Sequence, residues 1–169
     1  MNCFIIAAIT ADGYIAQNES QTSFLWTSKE DKKRFIELTK RAGVIVMGST
    51  TYASLPKPLK DRVNIVYSRS KNFEGAETTQ DAPAELLKKL ETRGFKEVAI
   101  CGGAHIYSLF MNAKVVNKIF LTIEPLVFGS GIKLFSEESP FKLKLLNMEK
   151  TESGTLLLEY EVDYLNPVK

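Results

Sequence analysis

Cysteine, histidine and tryptophan are scarce in this chain: two, one and one among 169 residues. Two cysteines, Cys3 and Cys101, cannot form a disulfide framework, and both sit in apolar, strand-like runs. Buried free thiols in a reducing, cytoplasmic setting are the simpler expectation. With His105 as the lone imidazole, a structural zinc site would need unusual carboxylate help, so no metal is expected. No apolar run reaches the ~18 residues of a membrane span. The opening MNCFIIAAITADGYIA has no basic leader and is broken by Asp12 and Gly13, so it reads as a buried first strand and not a signal peptide. A one-sided charge is missing too: 22 Lys and Arg against 20 Asp and Glu leave a net charge of +2. Nucleic-acid binders usually concentrate a basic excess, so neither nucleic acid nor membrane is expected as a partner, and a small molecule is. What is present is ordinary globular material, 44% apolar and 25% charged, in a length that suits one domain over residues 1–169.

The hydrophobic period alternates between strand and helix. Asn2–Thr10 reads as a buried strand, and residues 11–26 as a long polar loop of the kind that carries function or moves. Ser28 opens a helix to about Ala42 with Phe35, Ile36, Leu38 and Thr39 on one face, and Gly43 ends it. Val44–Met47 is the next strand, and a short helix follows near Thr50–Leu55. Val63–Ser68 is a strand and Ala76–Thr79 a weak extended segment. Asp81 reads as the cap of a helix over Ala82–Arg93, with Pro83 in its first turn. Then come a strand at Glu97–Cys101, a Gly102-Gly103 turn, a helix over Ala104–Asn112 and a strand at Lys118–Glu124. The end reads as an antiparallel hairpin, Lys142–Lys150 with Leu156–Tyr164. The class is α/β: a central, mostly parallel sheet with a C-terminal antiparallel hairpin and helices on both faces. Ligands of such sheets sit at the carboxyl ends of the strands.

Two turns there suit an anion. Gly102 and Gly103 let the backbone approach a ligand and leave the amides of the next helix free, where the helix dipole favours negative charge. Gly48-Ser49-Thr50-Thr51 has the same strand–turn–helix form with three hydroxyls, which could equally be plain helix caps. Two such turns in one small chain favour a dinucleotide. Ser68-Arg69-Ser70-Lys71 is a cationic strand end that suits a 2′-phosphate, or reads as a solvated loop. Asp31 forms a capping-box-like pair with Ser28, which by itself makes it a helix cap. It also lies one turn before Phe35, on the same face, and just after Trp26. A carboxyl desolvated among aromatic rings gains proton affinity, as a proton donor near neutral pH requires.

These residues, in this order, resemble the dihydrofolate reductase superfamily: Ala7-Ala8 followed by Asp12-Gly13, the Trp26…Asp31…Phe35 spacing, MGSTTY, Arg62-Val63-Asn64-Ile65-Val66, CGGAHIYSLF and Leu121-Thr122. PLVFGSGIKLF, Tyr67-Ser68-Arg69 and the GGA of Gly102-Gly103-Ala104 look like the branch of riboflavin-biosynthesis reductases and their stand-alone relatives. Two features depart from folate reductases proper: Ser49 stands where an Arg is common, and Gln17–Leu25 lacks the usual Pro before the Trp. The resemblance implies the dihydrofolate reductase fold and an NADPH-dependent reductase. The substrate would be an aminopyrimidine with a phosphorylated sugar or another heterocycle; dihydrofolate and an inactive nucleotide-binding relative are the alternatives. It implies Asp31 as the acidic residue, and Ala8, Trp26, Phe35, Arg62 and Thr122 around the substrate, Thr122 hydrogen-bonding Asp31. It places Gly48, Ser49, Thr50, Thr51, Ser68, Arg69, Gly102, Gly103, Ala104, His105 and Tyr107 around the cofactor. A homodimer is expected through the C-terminal strands, where Leu156-Leu157-Leu158 and Tyr160 are more apolar than a free edge tolerates.

Overall fold

The structure is a computed structural model that describes residues 1–69 and 72–166. Ser70 and Lys71, part of the cationic strand end noted above, lie outside the described residues. The chain builds β1 (Asn2–Thr10), β2 (Tyr14–Ala16), α1 (Lys29–Ala42), β3 (Val44–Gly48), α2 (Ser49–Ala53), β4 (Val63–Tyr67) and β5 (Glu77–Thr79). It continues with α3 (Pro83–Thr92), β6 (Glu97–Ile100), α4 (Ala104–Asn112), β7 (Lys118–Glu124), β8 (Ile132–Lys133), β9 (Lys142–Lys150) and β10 (Leu156–Asp163).

Eight strands form one sheet in the order β5-β4-β3-β6-β1-β7-β10-β9. The pairings are parallel from β5 through β7, and β10 runs antiparallel to both β7 and β9. Alternation along β1 sorts the core into two layers. Cys3, Ile5 and Ala7 face α3 and α4 together with Leu90, Ile106 and Phe110. Phe4 and Ile6 face α1 and α2 with Ala42, Tyr52 and Phe120. Residues such as Ile5 and Phe110 are fully buried, and each such burial stabilises the fold by about 1.5–3 kcal/mol. No helix among the described residues is long and apolar enough to cross a membrane.

Local signals explain most boundaries. Ser28 caps α1 by accepting the amide of Asp31 on its hydroxyl, and Gly43 closes the helix in the left-handed conformation (φ 72°). Four expectations need correction. Ile36 faces solvent, 46% exposed, because the sheet side of α1 is taken by Asp31, Phe35, Leu38 and Thr39. Asp81 does not cap α3; Ala82 occupies that position without a side-chain bond, and Asp81 pairs with Lys89 at 2.8 Å. The loop after β1 carries β2, which pairs with a strand absent from the sequence reading, β8. Gly131 permits that pairing, since a Cβ there would stand 2.3 Å from the Ala16 carbonyl oxygen. Lastly, β10 is not the free edge. It lies between β7 and β9, and the exposed apolar side chains are Leu143, Leu145, Leu146 and Met148 of β9.

Candidate active site

The carboxyl ends of β1, β3 and β6 open into a cavity of about 400 Å³. It lies where the strand order turns back on itself, since the chain moves from β1 out to β5 before β6 returns to fill the gap beside β1. That is where a doubly wound sheet leaves its crevice. Ala8 lines the cavity from β1, Asp31 and Phe35 from α1, and Thr50 and Thr51 from α2. Gly102, Ala104, His105 and Tyr107 line it from the opposite side.

Other residues marked in the sequence stand off this lining. Trp26 turns away and packs edge-on against Phe128, ring centroids 5.3 Å apart. Its place in the wall is taken by Phe24, whose ring meets Phe35 edge-on at 5.6 Å. The Arg62 guanidinium donates to Thr39 Oγ1 at 2.7 Å and to the Lys60 carbonyl at 2.8 Å, which holds it beneath the loop that carries Leu59. Gly48, Ser49 and Gly103 stand behind the lining, with the Gly48 amide donating to the Gly102 carbonyl at 2.8 Å. Ser68 and Arg69 lie at the end of β4 outside the cavity, the Ser68 amide bound to the Thr79 carbonyl. Thr122 is buried beneath Asp31. The sequence reading missed Phe24, Leu55 and Leu59. Apolar side chains flanking Pro56 and Pro58 in a short loop were the available signal for the two leucines.

Asp31 is 8% exposed. Burial raises its proton affinity above the ordinary carboxyl value of 3.8. The hydroxyls of Thr122 and Thr27 and the charge of Arg34 pull the other way, while Glu124 adds to the rise. Both threonine oxygens are buried without a hydrogen bond of standard geometry, as is Trp26 Nε1. Their hold on the carboxylate is therefore partial, and burial prevails. Unpaired buried polar atoms are costly, and the group that both threonine hydroxyls face is the Asp31 carboxyl. Tyr107 is buried and donates to the Ile6 carbonyl at 2.9 Å, which ties the start of α4 to the middle of β1. Burial pushes its phenol well above the usual range, so it acts as a neutral donor.

The turn between β6 and α4 is shaped for close approach. Gly102 has φ 121°, which an L side chain rarely adopts. A Cβ at Gly102 would lie 3.3 Å from the Tyr107 hydroxyl, and one at Gly103 would lie 3.2 Å from Thr51 Oγ1. The absence of two side chains lets the turn pack directly against Tyr107 and Thr51, beside the first turn of α4, whose amides have no partner within the helix. Hydroxyl, amide and dipole together fit a diphosphate.

A family model for dihydrofolate reductase matches residues 2–128. The chain belongs to the dihydrofolate reductase family. At that level it is an oxidoreductase. It is 29% identical over 160 residues to a dihydrofolate reductase of Buchnera aphidicola, covering 91% of this chain and 93% of that protein. It is 24% identical over 172 residues to an uncharacterised Bacillus subtilis protein, covering 90% of each. Its fold superposes with a TM-score of 0.82 on a putative riboflavin biosynthesis protein of Shewanella, at 21% identity and covering 96% and 99% of the two chains. A deaminase/5-amino-6-(5-phosphoribosylamino)uracil reductase of Thermotoga maritima gives 0.77 at 19% identity, covering 96% of this chain and 56% of the other.

Proposed function

We propose that this protein is an NADPH-dependent reductase of a sugar-linked aminopyrimidine, of the kind found in riboflavin biosynthesis. The observation that carries the hydride-transfer reading is the pairing, across one cavity, of a desolvated carboxyl at Asp31 with Gly102 and the start of α4. When bound, the reduced nicotinamide would supply a hydride to an electron-poor C=N or C=O carbon. Thr51, Gly102, Gly103 and the first turn of α4 would hold its phosphates, with His105 and Tyr107 alongside.

The chain's own residues then do the following. Phe24, Phe35, Leu55 and Leu59 hold a flat ring and exclude water. Orientation of the two reactants supplies much of the acceleration in such transfers. The Asp31 carboxyl binds the ring's amino-substituted edge and keeps a proton available at its oxygen. Burial favours this, because it raises the proton affinity of the carboxyl above the ordinary value. Tyr107, by fixing the Ile6 carbonyl, holds the middle of β1 against the start of α4.

The mouth of the cavity favours a sugar over a glutamate tail. Thr22 and Ser23 line the cavity, and their hydroxyls suit a polyol, while the Gln21 amide is paired with Gln17 and the Ser54 hydroxyl donates to the Thr51 carbonyl. Arg62, which the resemblance puts near the substrate in both branches, is engaged with Thr39 and Lys60 and does not separate them. Dihydrofolate stays the second reading, supported by the family match and by Asp31, Phe35 and Thr122 in one constellation. Loss of nicotinamide absorbance with each of the two substrates decides between them: faster turnover of the aminopyrimidine supports the proposal, and turnover of dihydrofolate alone overturns it. We also propose that a second copy of the chain covers β9, whose whole length is exposed.

A further inference from the structure

The capping box at the start of α1 is half made. Ser28 Oγ accepts the Asp31 amide at 3.2 Å. The reciprocal bond, from the Ser28 amide to the third residue's carboxylate, would need Asp31, which faces the cavity instead. Glu124 takes its place from another element: its Oε1 accepts the Ser28 amide at 2.7 Å. Its Oε2 accepts the Thr155 hydroxyl at 2.7 Å. Glu124 is 3% exposed and Thr155 fully buried, and among the described residues no Lys, Arg or His ion-pairs with Glu124. A carboxylate buried without a cation is expensive, and holding a helix cap is work that a neutral residue could do.

Glu124 stands two residues after Thr122 on β7, so both side chains leave the same face of the sheet. The Thr122 hydroxyl lies by Asp31, and the Glu124 carboxylate reaches it through Ser28, whose amide Glu124 binds and whose hydroxyl binds the Asp31 amide. We propose that Glu124 is a positioning residue for Asp31: its buried carboxylate fixes the first turn of α1 through Ser28 and sets the electric field in which the Asp31 carboxyl holds its proton. The geometry forms a line from Thr155 through Glu124 and Ser28 to Asp31, joining the β9–β10 turn to the cavity. Arg34 is the counterweight. Its guanidinium donates to the Leu121 carbonyl at 3.2 Å and to the Leu158 carbonyl at 2.6 Å, and it lies 5.2 Å from the centre of the Phe120 ring. Asp31 is thus faced by Arg34 on its own helix, by Thr122 and Glu124 on β7, by Thr27 before the helix and by the Tyr107 phenol from α4. Glu124 supports the proton on Asp31, and Arg34 opposes it.

This inference rests on the role given to Asp31 above, and its test does not need a substrate. The Asp31 carboxyl carbon, assigned by its loss in Asp31→Asn, is titrated by NMR in the whole protein and in Glu124→Gln. Glutamine can still accept the Ser28 amide and can donate to Thr155, whose hydroxyl can turn to Ser153 Oγ, 3.2 Å away. The expected result is a lower titration midpoint for Asp31 in Glu124→Gln, with the limb of the turnover profile that falls as pH rises moving the same way. A residue that only props the helix would leave the midpoint in place, and that result overturns the proposal. If Glu124→Gln does not fold, the wild-type protein decides: the Glu124 resonance must inflect at the Asp31 midpoint, and its absence counts against the proposal. A shifted midpoint together with undiminished turnover in Asp31→Asn would remove the catalytic reading and leave this one standing.

Discussion

Removing the charge of Asp31 should make the protein more stable as pH rises. Burial raises the proton affinity of this carboxyl above the ordinary value of 3.8. Below 3.8 the group is neutral in the folded and unfolded states, and its burial carries no electrostatic penalty. Between 3.8 and its folded value the unfolded chain ionises first, so stability is lost as pH rises. Above the folded value the loss is complete and constant. Each unit of elevation corresponds to about 1.4 kcal/mol, and about 1 kcal/mol moves Tm by roughly 2–4 °C in a chain of this size. Asparagine keeps the shape and carries no charge. The stability difference, Asp31→Asn minus wild type, should therefore grow with pH across that window and then level off. Urea unfolding at a series of pH values that starts below 3.8 and extends into the alkaline range measures it. A flat difference, or one that shrinks as pH rises, would show that Asp31 is solvated in the folded protein, and the proton-donor argument would fall with it.

Other consequences follow from the same contacts. Gly103→Val fills the space beside Thr51 Oγ1 and should weaken NADPH binding at least about tenfold, near 1.4 kcal/mol, in a fluorescence titration, while the fold survives. Gly131→Ala drives a methyl into the Ala16 carbonyl and should free the β2–β8 pairing, seen as faster amide exchange in residues 14–16 and a higher KM. Leu145→Lys with Met148→Lys places charge on the exposed apolar part of β9; if a second copy covers β9 as proposed, light scattering should report a dimer for the wild type and a monomer for this variant, and a monomeric wild type would refute the proposal. Phe110→Ala empties a fully buried ring site and should cost about 3–5 kcal/mol in urea unfolding.

Much of this was legible in the residues, and the division has a physical cause. Signals that act within a few residues survive folding unchanged. Ser28 and Gly43 bound α1 because a hydroxyl cap and a left-handed glycine work locally. The same holds for the turns at Gly48 and Gly102, which follow their strands wherever the strands lie. Features set by distant partners were hidden. Whether Trp26 or Phe24 walls the cavity depends on the path of a loop pinned by Asp12 to the amides of Phe128 and Gly129. The strand β8 exists only as a partner for β2. The free edge passed from β10 to β9 because a hairpin's outer strand is chosen by which strand pairs with β7. Glu124 carried a faint signal, an acid two places beyond Thr122 in an apolar strand, but its bond to Ser28 spans 96 positions of sequence. The sequence placed Asp31 as cap and as site residue alike; the structure frees its carboxyl from capping by giving that task to Glu124.

The most direct test of the central claim is a single-turnover measurement of hydride transfer from NADPH to the aminopyrimidine, across pH, in wild type and Asp31→Asn. The account predicts that wild type transfers hydride fastest while Asp31 is protonated and slows as it ionises. Asp31→Asn should bind NADPH normally yet lose about 10²–10⁴-fold in rate, the range a positioned proton donor supplies, with no dependence on that ionisation. Equal rates and matching pH profiles in the two proteins would contradict it.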